Sequence, residues 1–361
     1  MHPLTSVVKN YAWGSRSALA ALAGRPVPSE RPEAEMWLGA HPAGSAEIAA
    51  TGRPLADHIA EEPARWLGEE ALRSFGPKLP YLMKLIAVAE PLSLQVHPSA
   101  EQAADGHRRA VYGDPWPKPE LIYALTPFTA LAGFRPGEES ARLLSAVGVP
   151  VAVRAARLLA AGSATDALRC LLEHPDPLRE AVEAAMTLDG PDYRLVGELA
   201  ERHPGDPACL APLLLRRHDL APGGALFLGA GVLHSYLSGL GVEIMAASDN
   251  VVRAGLTSKP VDVPELLRVV DPRAAPRPVE ADSAGVLRVP SPFFRLRRLN
   301  VDGCVEVAAG SPRILFCVEG TVGPPRLGPL DAAFVPAAEP LCVAGKGTVF
   351  VAEPGGDPPE T

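Results

Sequence analysis

Two polar residues, Gln95 and His97, stand in a segment that is otherwise almost wholly apolar, and they constrain how the chain can fold. They are at positions i and i+2, so on an extended strand both side chains point to the same face. Glu120 and His234 stand in two further apolar segments. Polar groups buried in such segments need specific partners, which favours a fold that brings the three segments together.

These four side chains could surround one divalent metal ion. Two imidazoles, one carboxylate and one amide oxygen suit Zn²⁺ or a neighbouring first-row metal. The absence of a thiolate favours an open catalytic site over a closed structural one. The alternative is a buried network of hydrogen bonds, since a histidine in an apolar strand is more often a core residue than a ligand.

The pattern along the chain predicts strands interrupted by helices. Residues 1–135 contain short apolar runs broken by Pro and Gly, which indicates strands. Two helices should interrupt them, one over roughly residues 55–75 and one that begins with a capping box formed by Ser99 and Gln102. From about 137 to 220 the apolar residues follow a period near 3.6, which predicts a helical insert.

After residue 220 the pattern returns to strands. A Gly-x-Gly turn before His234 predicts a hairpin that leads this histidine onto a strand. Residues 285–357 form another β-like stretch, and it contains no histidine because the last of the nine is His234. We therefore expect no second metal site there, and we expect the terminal GGDPPET to be disordered.

Several sequence blocks resemble one known family, the type I mannose-6-phosphate isomerases, or phosphomannose isomerases. The blocks are PYLMKLIAVAEPLSLQVHP, KPELIYALTPFTALAGFRP, LGAGVLHSYLSGLGVEIMAASDNVVRAGLTSK, NYAWGS at 10–15 and EMWLGAHPAG at 35–44. Dense matches cover about 1–135 and 222–272, whereas the helical middle and the C-terminal part match only in overall layout. Together these blocks are a specific signal, although none would be so alone.

The segments around His97 and His234 also resemble the two signatures of cupin barrels, with Gln95 in place of the usual first histidine and Gly229 where a proline is common. Cupins are two-sheet jelly rolls that carry a metal in the barrel. The resemblance implies a mainly β protein with a helical insert, built from cupin-type jelly-roll barrels. The metal would lie in the first barrel, and the second, C-terminal barrel would be degenerate.

This resemblance implies a division of the chain into four parts. They are the first part of a catalytic cupin domain at 1–136, a helical insert domain at 137–220, the second part of the catalytic domain at 221–284, and a C-terminal cupin-like domain with its tail at 285–361.

The resemblance also implies an activity, which is the aldose–ketose interconversion of mannose 6-phosphate and fructose 6-phosphate through a metal-stabilised enediolate. The cofactor would be one divalent metal, Zn²⁺ before others. The implied metal ligands are Gln95, His97, Glu120 and His234; the implied catalytic residues are Arg253, Lys118, Asp249 and Tyr236; and the implied substrate-binding residues are Lys84, Ser93, Glu243 and Lys259.

Some of these roles have a reason in the sequence. Lys118 is two residues before Glu120 and shares its face if the segment is extended, and Tyr236 stands likewise after His234. Arg253 lies in a loop-like segment, where Glu243 and Asp249 could orient it or shuttle protons. The general base stays open between Lys118, Asp249 with Tyr236, and a water on the metal.

Two substrate contacts rest on a different pattern. Lys84 and Ser93 stand nine apart on the arms of a hairpin-like segment, where an ammonium and a hydroxyl group would suit a phosphate.

Two other functions remain open, a non-catalytic cupin that binds a sugar phosphate and a metal-dependent cupin oxygenase. Four protein ligands favour a redox-silent Zn²⁺, whereas oxygen chemistry needs more open positions on the metal. The net charge of −8 without a basic cluster argues against nucleic acid as a partner. A phosphorylated sugar would therefore need positive charge within the site itself.

The cysteines and the apolar runs predict the cellular compartment of the protein. Five scattered cysteines without a Cys-x-x-Cys pair are expected to be buried thiols in a reducing compartment. The first residues contain no apolar core of signal-peptide length, and no run approaches a transmembrane helix. We expect a soluble, cytoplasmic protein with a small phosphosugar substrate, no membrane and no obligate protein partner.

Overall fold

The computed structural model describes residues 1–173 and 175–356 and is mainly β, with helices grouped between two runs of strands. Within this part of the chain the strands are β1 (His2–Thr5), β2 (Val7–Lys9), β3 (Glu35–Leu38), β4 (Ala40–His41), β5 (Gly44–Ser45), β6 (Glu47–Ile48), β7 (Arg53–Pro54), β8 (Tyr81–Val88), β9 (Leu94–Val96), β10 (Glu120–Ala124), β11 (Phe128–Phe134), β12 (Leu215–Leu220), β13 (Ala225–Leu228), β14 (His234–Ala246), β15 (Val252–Gly255), β16 (Arg277–Val279), β17 (Val286–Leu287), β18 (Arg295–Val307), β19 (Arg313–Gly323), β20 (Ala332–Val335) and β21 (Leu341–Glu353). The helices are α1 (Ala18–Leu22), α2 (Leu55–Glu61), α3 (Pro63–Phe75), α4 (Ala100–Arg108), α5 (Gly137–Val147), α6 (Pro150–Ala160), α7 (Ala164–Leu172), α8 (Pro175–Ala185), α9 (Pro191–Arg202) and α10 (Val263–Val269), with a 3-10 helix at Pro207–Leu213.

The long strand β14 joins two ladders into one sheet. Its C-terminal half pairs with β8 and β10 in the order β16-β13-β10-β14-β8-β3-β2, and its N-terminal half pairs with β11 and β9. The strand changes ladder at Gly239, whose φ of +125° suits glycine. A Cβ there would lie 2.6 Å from Phe128 Cδ2. This bend brings both ladders around one cavity.

Strand alternation decides which side chains face that cavity. On β8, Met83 and Leu85 belong to the apolar core shared with the C-terminal sheet, and Lys84 between them points to the opposite face. On β10, Leu121 faces that same core, which leaves Glu120 on the cavity side. Lys84 and Glu120 therefore point into the cavity, because the residues next to them in each strand pack into the apolar core on the opposite face of the sheet.

The second sheet has the order β17-β18-β21-β19-β20-β1-β6-β7, so N-terminal strands complete the sheet of the C-terminal region. Leu4 of β1 pairs with Ala332 of β20 on one side and with Ile48 of β6 on the other. The strand pattern alone does not predict the pairing of β1 with β20, because these two strands lie near opposite ends of the chain. The four-part domain division therefore stays a prediction.

The mainly β fold class with helices in the middle is confirmed. The capping box of α4 is confirmed as well, since Gln102 N donates to Ser99 Oγ and Ser99 N donates to Gln102 Oε1. The single helix expected over residues 55–75 is instead two helices, α2 and α3. Pro63 begins α3, and because proline has no N–H to donate it suits a helix start but not a helix interior.

The hairpin expected before His234 is wrong. β13 and β14 do not pair with each other, because β10 lies between them and pairs with both.

The expectation of five buried thiols is also wrong for two residues. Cys304 on β18 and Cys342 on β21 are exposed and are paired as a disulfide, because both stand on the solvent face of neighbouring strands. Cys170, Cys209 and Cys317 are buried and free.

No helix in residues 1–173 and 175–356 combines the length and apolar character needed to cross a membrane. Most of the expected disordered tail, residues 357–361, lies outside the described residues.

Tyr81 connects the two sheets, and its substitution should weaken the fold. Its buried hydroxyl donates to the carbonyls of Pro312 and Ala352 at 3.1 and 2.9 Å. We expect Tyr81→Phe to lower the free energy of unfolding by about 1–2 kcal/mol, because these acceptors lose a buried donor. Urea denaturation measures this. Tyr123→Phe is the control, since the Tyr123 ring packs on Phe350 and its hydroxyl has no hydrogen-bond partner in the described chain. Equal losses in both variants would contradict the bridging role.

Candidate active site

Three buried side chains, His97, Glu120 and His234, meet inside the barrel. Glu120 Oε1 lies 3.3 Å from His97 Nε2, and Glu120 Oε2 lies 3.5 Å from His234 Nε2. One candidate ligand atom from each of the three residues lies within 4.8 Å of the other two. His97 directly follows β9, while Glu120 and His234 begin β10 and β14. Residues far apart in the sequence thus form one compact cluster.

Backbone carbonyls set the orientation of both imidazoles. His97 Nδ1 lies 2.9 Å from the carbonyl of Asn250, and His234 Nδ1 lies 2.9 Å from the carbonyl of Val232. A carbonyl oxygen only accepts, so each Nδ1 carries the hydrogen and donates it. Each Nε2 then presents a lone pair to the cluster, which is the arrangement of metal-binding histidines.

The donor set fits a metal ion. His97 Nε2 and Glu120 Oε2 are buried and have no hydrogen-bond partner in the described chain, which is costly unless another group satisfies them. Gln95 is adjacent, with its Nε2 3.5 Å from His234 Nε2. A metal would need the amide oxygen, and a half-turn of the amide group presents that oxygen to the cluster. Two imidazoles with a carboxylate and an amide oxygen suit Zn²⁺.

Lys118 sets the charge state of the cluster, with its Nζ 2.7 Å from Glu120 Oε1. Burial, with the Lys118 charge second, lowers the pKa of His97 to about 4. Burial alone would raise the pKa of Glu120, but Lys118 and His97 outweigh it and hold that pKa well below its usual range. At neutral pH His97 is therefore neutral and Glu120 charged, as metal ligands must be.

Lys84 lies between two carboxylates, 3.3 Å from Glu243 Oε2 and 3.7 Å from Glu35 Oε1. Burial alone would lower its pKa, but the two carboxylates raise it above the ordinary value. Burial raises the pKa of Glu243 despite Lys84. The positive charge of Lys84 is therefore compensated by Glu35 and Glu243.

The hairpin expected for Lys84 and Ser93 is wrong, because β8 pairs with β3 and β14 and not with β9.

Arg253 lies on β15, not in a loop, and pairs with Gln95 of β9. The sequence predicted a loop because the partner strand is more than 150 residues away. Its half-buried guanidinium has no carboxylate partner in the described residues. Asp249 Oδ1 lies instead 3.4 Å from His41 Nε2, and Glu243 pairs with Lys84. Neither acid contacts Arg253, so neither orients it directly.

A cleft of about 720 Å³ opens beside the cluster. Ten of the residues singled out in the sequence line it: Lys84, Ser93, Gln95, Lys118, Glu120, Tyr236, Glu243, Asp249, Arg253 and Lys259. The buried Tyr236 hydroxyl has no hydrogen-bond partner in the described chain, and burial, with Glu243 second, raises its pKa well above the usual value. Lys259 is exposed. His97 and His234 are not among the residues that line the cleft.

Other residues of the cleft were not singled out from the sequence. Glu35 accepts the indole N–H of Trp37 at 2.6 Å and also faces Lys84. Trp13 lines the wall, and His203 comes from just beyond α9. Trp13 lies in the block NYAWGS, and Glu35 and Trp37 lie in the block EMWLGAHPAG, so the sequence contained a signal for all three. No local pattern marked His203.

Fold and site together define a class: a cupin-type protein with a buried His–Glu–His centre that opens to a polar cleft. The family profile described as phosphomannose isomerase type I, catalytic domain, matches residues 1–137. Mannose-6-phosphate isomerase of Escherichia coli is 36% identical, covering 96% of this chain and 98% of its own. The human enzyme of that name is 33% identical over 89% of this chain and 88% of its own. The chain therefore belongs to the mannose-6-phosphate isomerase family.

Solved structures agree over nearly the whole length. A mutant of phosphomannose isomerase from Salmonella typhimurium superposes with a TM-score of 0.91 at 32% identity, covering 98% of this chain and 99% of that one. A zinc-bound mannose 6-phosphate isomerase gives a TM-score of 0.90 at 32% identity with the same coverage. The similarity includes the helical middle and the C-terminal sheet, which the sequence blocks did not reach.

We expect His234→Ala to remove most of the bound metal while leaving the protein folded. The variant loses one nitrogen ligand and keeps the strand that presents it. Elemental analysis after dialysis measures zinc per chain, and circular dichroism checks the fold. His107→Ala is the control, because His107 lies exposed on α4. A folded His234→Ala protein with one zinc per chain would show that His234 is not a ligand.

Proposed function

We propose that this protein interconverts mannose 6-phosphate and fructose 6-phosphate with one divalent metal, zinc, held by Gln95, His97, Glu120 and His234. The observation that carries the proposal is the buried His–Glu–His cluster beside a cleft that contains Arg253, an arginine without a carboxylate partner among the described residues. Similarity to isomerases over almost the full length supports the same activity. When bound, zinc supplies Lewis-acid polarisation of the substrate's oxygen atoms.

Arg253 stabilises the negative charge that develops on the sugar during isomerisation. In an aldose–ketose conversion a proton moves between C2 and C1, and charge builds up on the neighbouring oxygens. The half-buried guanidinium of Arg253 has no carboxylate partner in the described residues, so its positive charge is uncompensated and available for that purpose. Pairing of β15 with β9 holds Arg253 beside Gln95, so little reorganisation is needed.

We assign the proton transfer to side chains that line the cleft, and among the candidates Lys118 contacts the cluster directly. Its Nζ lies 2.7 Å from Glu120 Oε1, and its side chain is buried. Asp249, held by His41, and the buried Tyr236 hydroxyl also line the cleft and can exchange protons there. We assign these three groups to the proton transfers that open the ring and move hydrogen between carbons.

The phosphate contact falls to Lys259 with Ser93. Both line the cleft, and the Lys259 ammonium has no ion-pair partner among the residues that the structure describes. Lys84 is neutralised by Glu35 and Glu243, so we propose that these three shape the cleft wall that meets the sugar hydroxyls. An unpaired cation is useful here because the net charge of −8 repels an anionic substrate at long range.

Similarity to isomerases over nearly the whole chain favours catalysis over a sugar-phosphate-binding cupin or a cupin oxygenase. The proposal includes a small phosphosugar as substrate and no nucleic-acid, membrane or obligate protein partner. It also includes a cytoplasmic location. The buried free thiols of Cys170, Cys209 and Cys317 suit a reducing compartment, whereas the disulfide between Cys304 and Cys342 does not.

The proposal is tested by turnover of mannose 6-phosphate before and after chelation. We expect activity to disappear when the metal is removed, because the buried cluster then loses the positive charge that the metal supplies. Activity should return when zinc is added. An assay coupled to fructose 6-phosphate formation measures it, and unphosphorylated mannose, which lacks the anionic group, should be a very poor substrate. An absence of turnover in the zinc-loaded protein would remove the isomerase proposal. Undiminished turnover after complete metal removal would remove the metal from it.

Arg253→Lys should lower kcat by about 10²-fold or more, which is the scale of one lost preorganised donor. KM should change little. Lysine keeps the positive charge but not the planar fork of donors. Steady-state kinetics separates kcat from KM, and Arg288→Lys is the control because Arg288 is exposed and pairs with Asp282. If the loss appeared in KM alone, Arg253 would bind the substrate without stabilising charge in the reaction.

A further inference from the structure

Two loop segments are clamped together beside the metal centre. Residues 114–116 precede Lys118 and Glu120, and residues 248–250 precede Arg253. The clamp therefore joins the two stretches of chain that supply most of the proposed catalytic groups. Residues 248–250 belong to one of the sequence blocks quoted above, whereas residues 114–116 lie outside all of them.

Asp114 is the centre of this clamp. Its Oδ2 accepts the hydroxyl of Ser248 at 3.1 Å and the backbone N–H of Asp249 at 3.4 Å. Asn250 Nδ2 donates to the carbonyls of Asp114 and Trp116 at 2.8 and 2.9 Å. Ser248 and Asn250 are 1% and 2% exposed, so water cannot readily replace these bonds.

The clamp reaches the metal centre through one backbone carbonyl. The carbonyl of Asn250 accepts the Nδ1 hydrogen of His97 at 2.9 Å, and this bond turns His97 Nε2 toward Glu120. The position of that carbonyl depends on Asn250, which the Asp114 carboxylate holds in two ways. Asn250 Nδ2 donates to Asp114 Oδ1 at 3.4 Å, and the backbone N–H of Asn250 donates at 3.2 Å to the Ser248 hydroxyl, which Asp114 Oδ2 holds. A chain of contacts thus runs from Asp114 through Asn250 to His97.

We propose that Asp114 is a positioning residue of the metal centre, acting through Asn250 on the imidazole of His97. Partners that orient a ligating histidine control metal affinity because they set the direction and basicity of its free nitrogen. A purely structural clamp would affect the stability of the two loops and would leave zinc affinity unchanged. The inference rests on the proposed metal site but not on the identity of the sugar substrate.

Asp114→Asn tests the inference with little change of shape. The amide has one acceptor oxygen in place of two, so an NH₂ group must face donors, either at Ser248 and Asp249 or at Trp116 and Asn250 Nδ2. We expect the dissociation constant for zinc to rise about 10- to 100-fold. Competition with a chromophoric chelator measures it. A constant within about twofold of the wild type would overturn the proposal.

A matched control variant separates an effect on the metal centre from the general loss of hydrogen bonds in a turn. Asp282 accepts the backbone N–H groups of Ala284 and Val286 at 2.9 and 3.0 Å in a turn before β17. Asp282→Asn loses comparable bonds without touching the metal centre, so zinc affinity should not change. An equal loss of zinc affinity in the control would overturn the proposal, since the effect would then be general destabilisation.

Asn250→Ala keeps the inference testable if Asp114→Asn does not fold. This variant removes the tied side chain and keeps the backbone carbonyl that accepts from His97. We expect weaker zinc binding, and in the double variant a loss smaller than the sum of the two single losses, because both act through one contact chain. Wild-type zinc affinity in Asn250→Ala would overturn the proposal.

Substitution of zinc by Co²⁺ adds a measurement of the geometry of the metal site that does not depend on the stability of the fold. We expect the visible absorption of bound Co²⁺ to change in Asp114→Asn and to stay the same in Asp282→Asn, because only the first alters the direction of an imidazole ligand. An unchanged spectrum in Asp114→Asn would overturn the proposal. Both readouts work without sugar, so a failure of the isomerase proposal shows in wild-type turnover and a failure of this inference shows in metal binding.

Discussion

The buried carboxylate of Glu120 is the constraint on which the site depends. A charge that is 2% exposed inside a barrel must be compensated, and the structure surrounds it with Lys118 and the two imidazoles of His97 and His234. Glu120 Oε2 and His97 Nε2 nevertheless stay without hydrogen bonds in the described chain. A metal ion held by this cluster would satisfy both atoms, which would link folding of the barrel to its chemistry.

The geometry of the barrel follows from β14. This single strand takes part in both ladders because it bends at Gly239, where a side chain would collide with Phe128. Its first residue, His234, therefore lies opposite Gln95, while its far half pairs with β8 and sets Glu243 against Lys84. The proposed metal ligands and the cleft wall thus depend on one bent strand.

Charge pairing within the cleft separates cations with different tasks. Lys84 is held between carboxylates and Lys118 is held by Glu120, so both are positioned and partly neutralised. Arg253 and Lys259 have no such partners in the part of the chain that the structure describes. The free cations are consequently the ones available to a negatively charged substrate or to charge that develops during the reaction.

The sequence by itself determined the mainly β fold class, the helical middle and the capping box of α4, because periodicity and local hydrogen bonding act over a few residues. It also singled out His97, Glu120 and His234 as candidates, since polar groups in apolar strands need partners. Only the tertiary structure decided that β1 completes the C-terminal sheet, that Lys84 meets Glu35, and that Arg253 has no carboxylate partner among the residues described. Those outcomes depend on pairing between strands far apart in the chain, which local pattern does not encode.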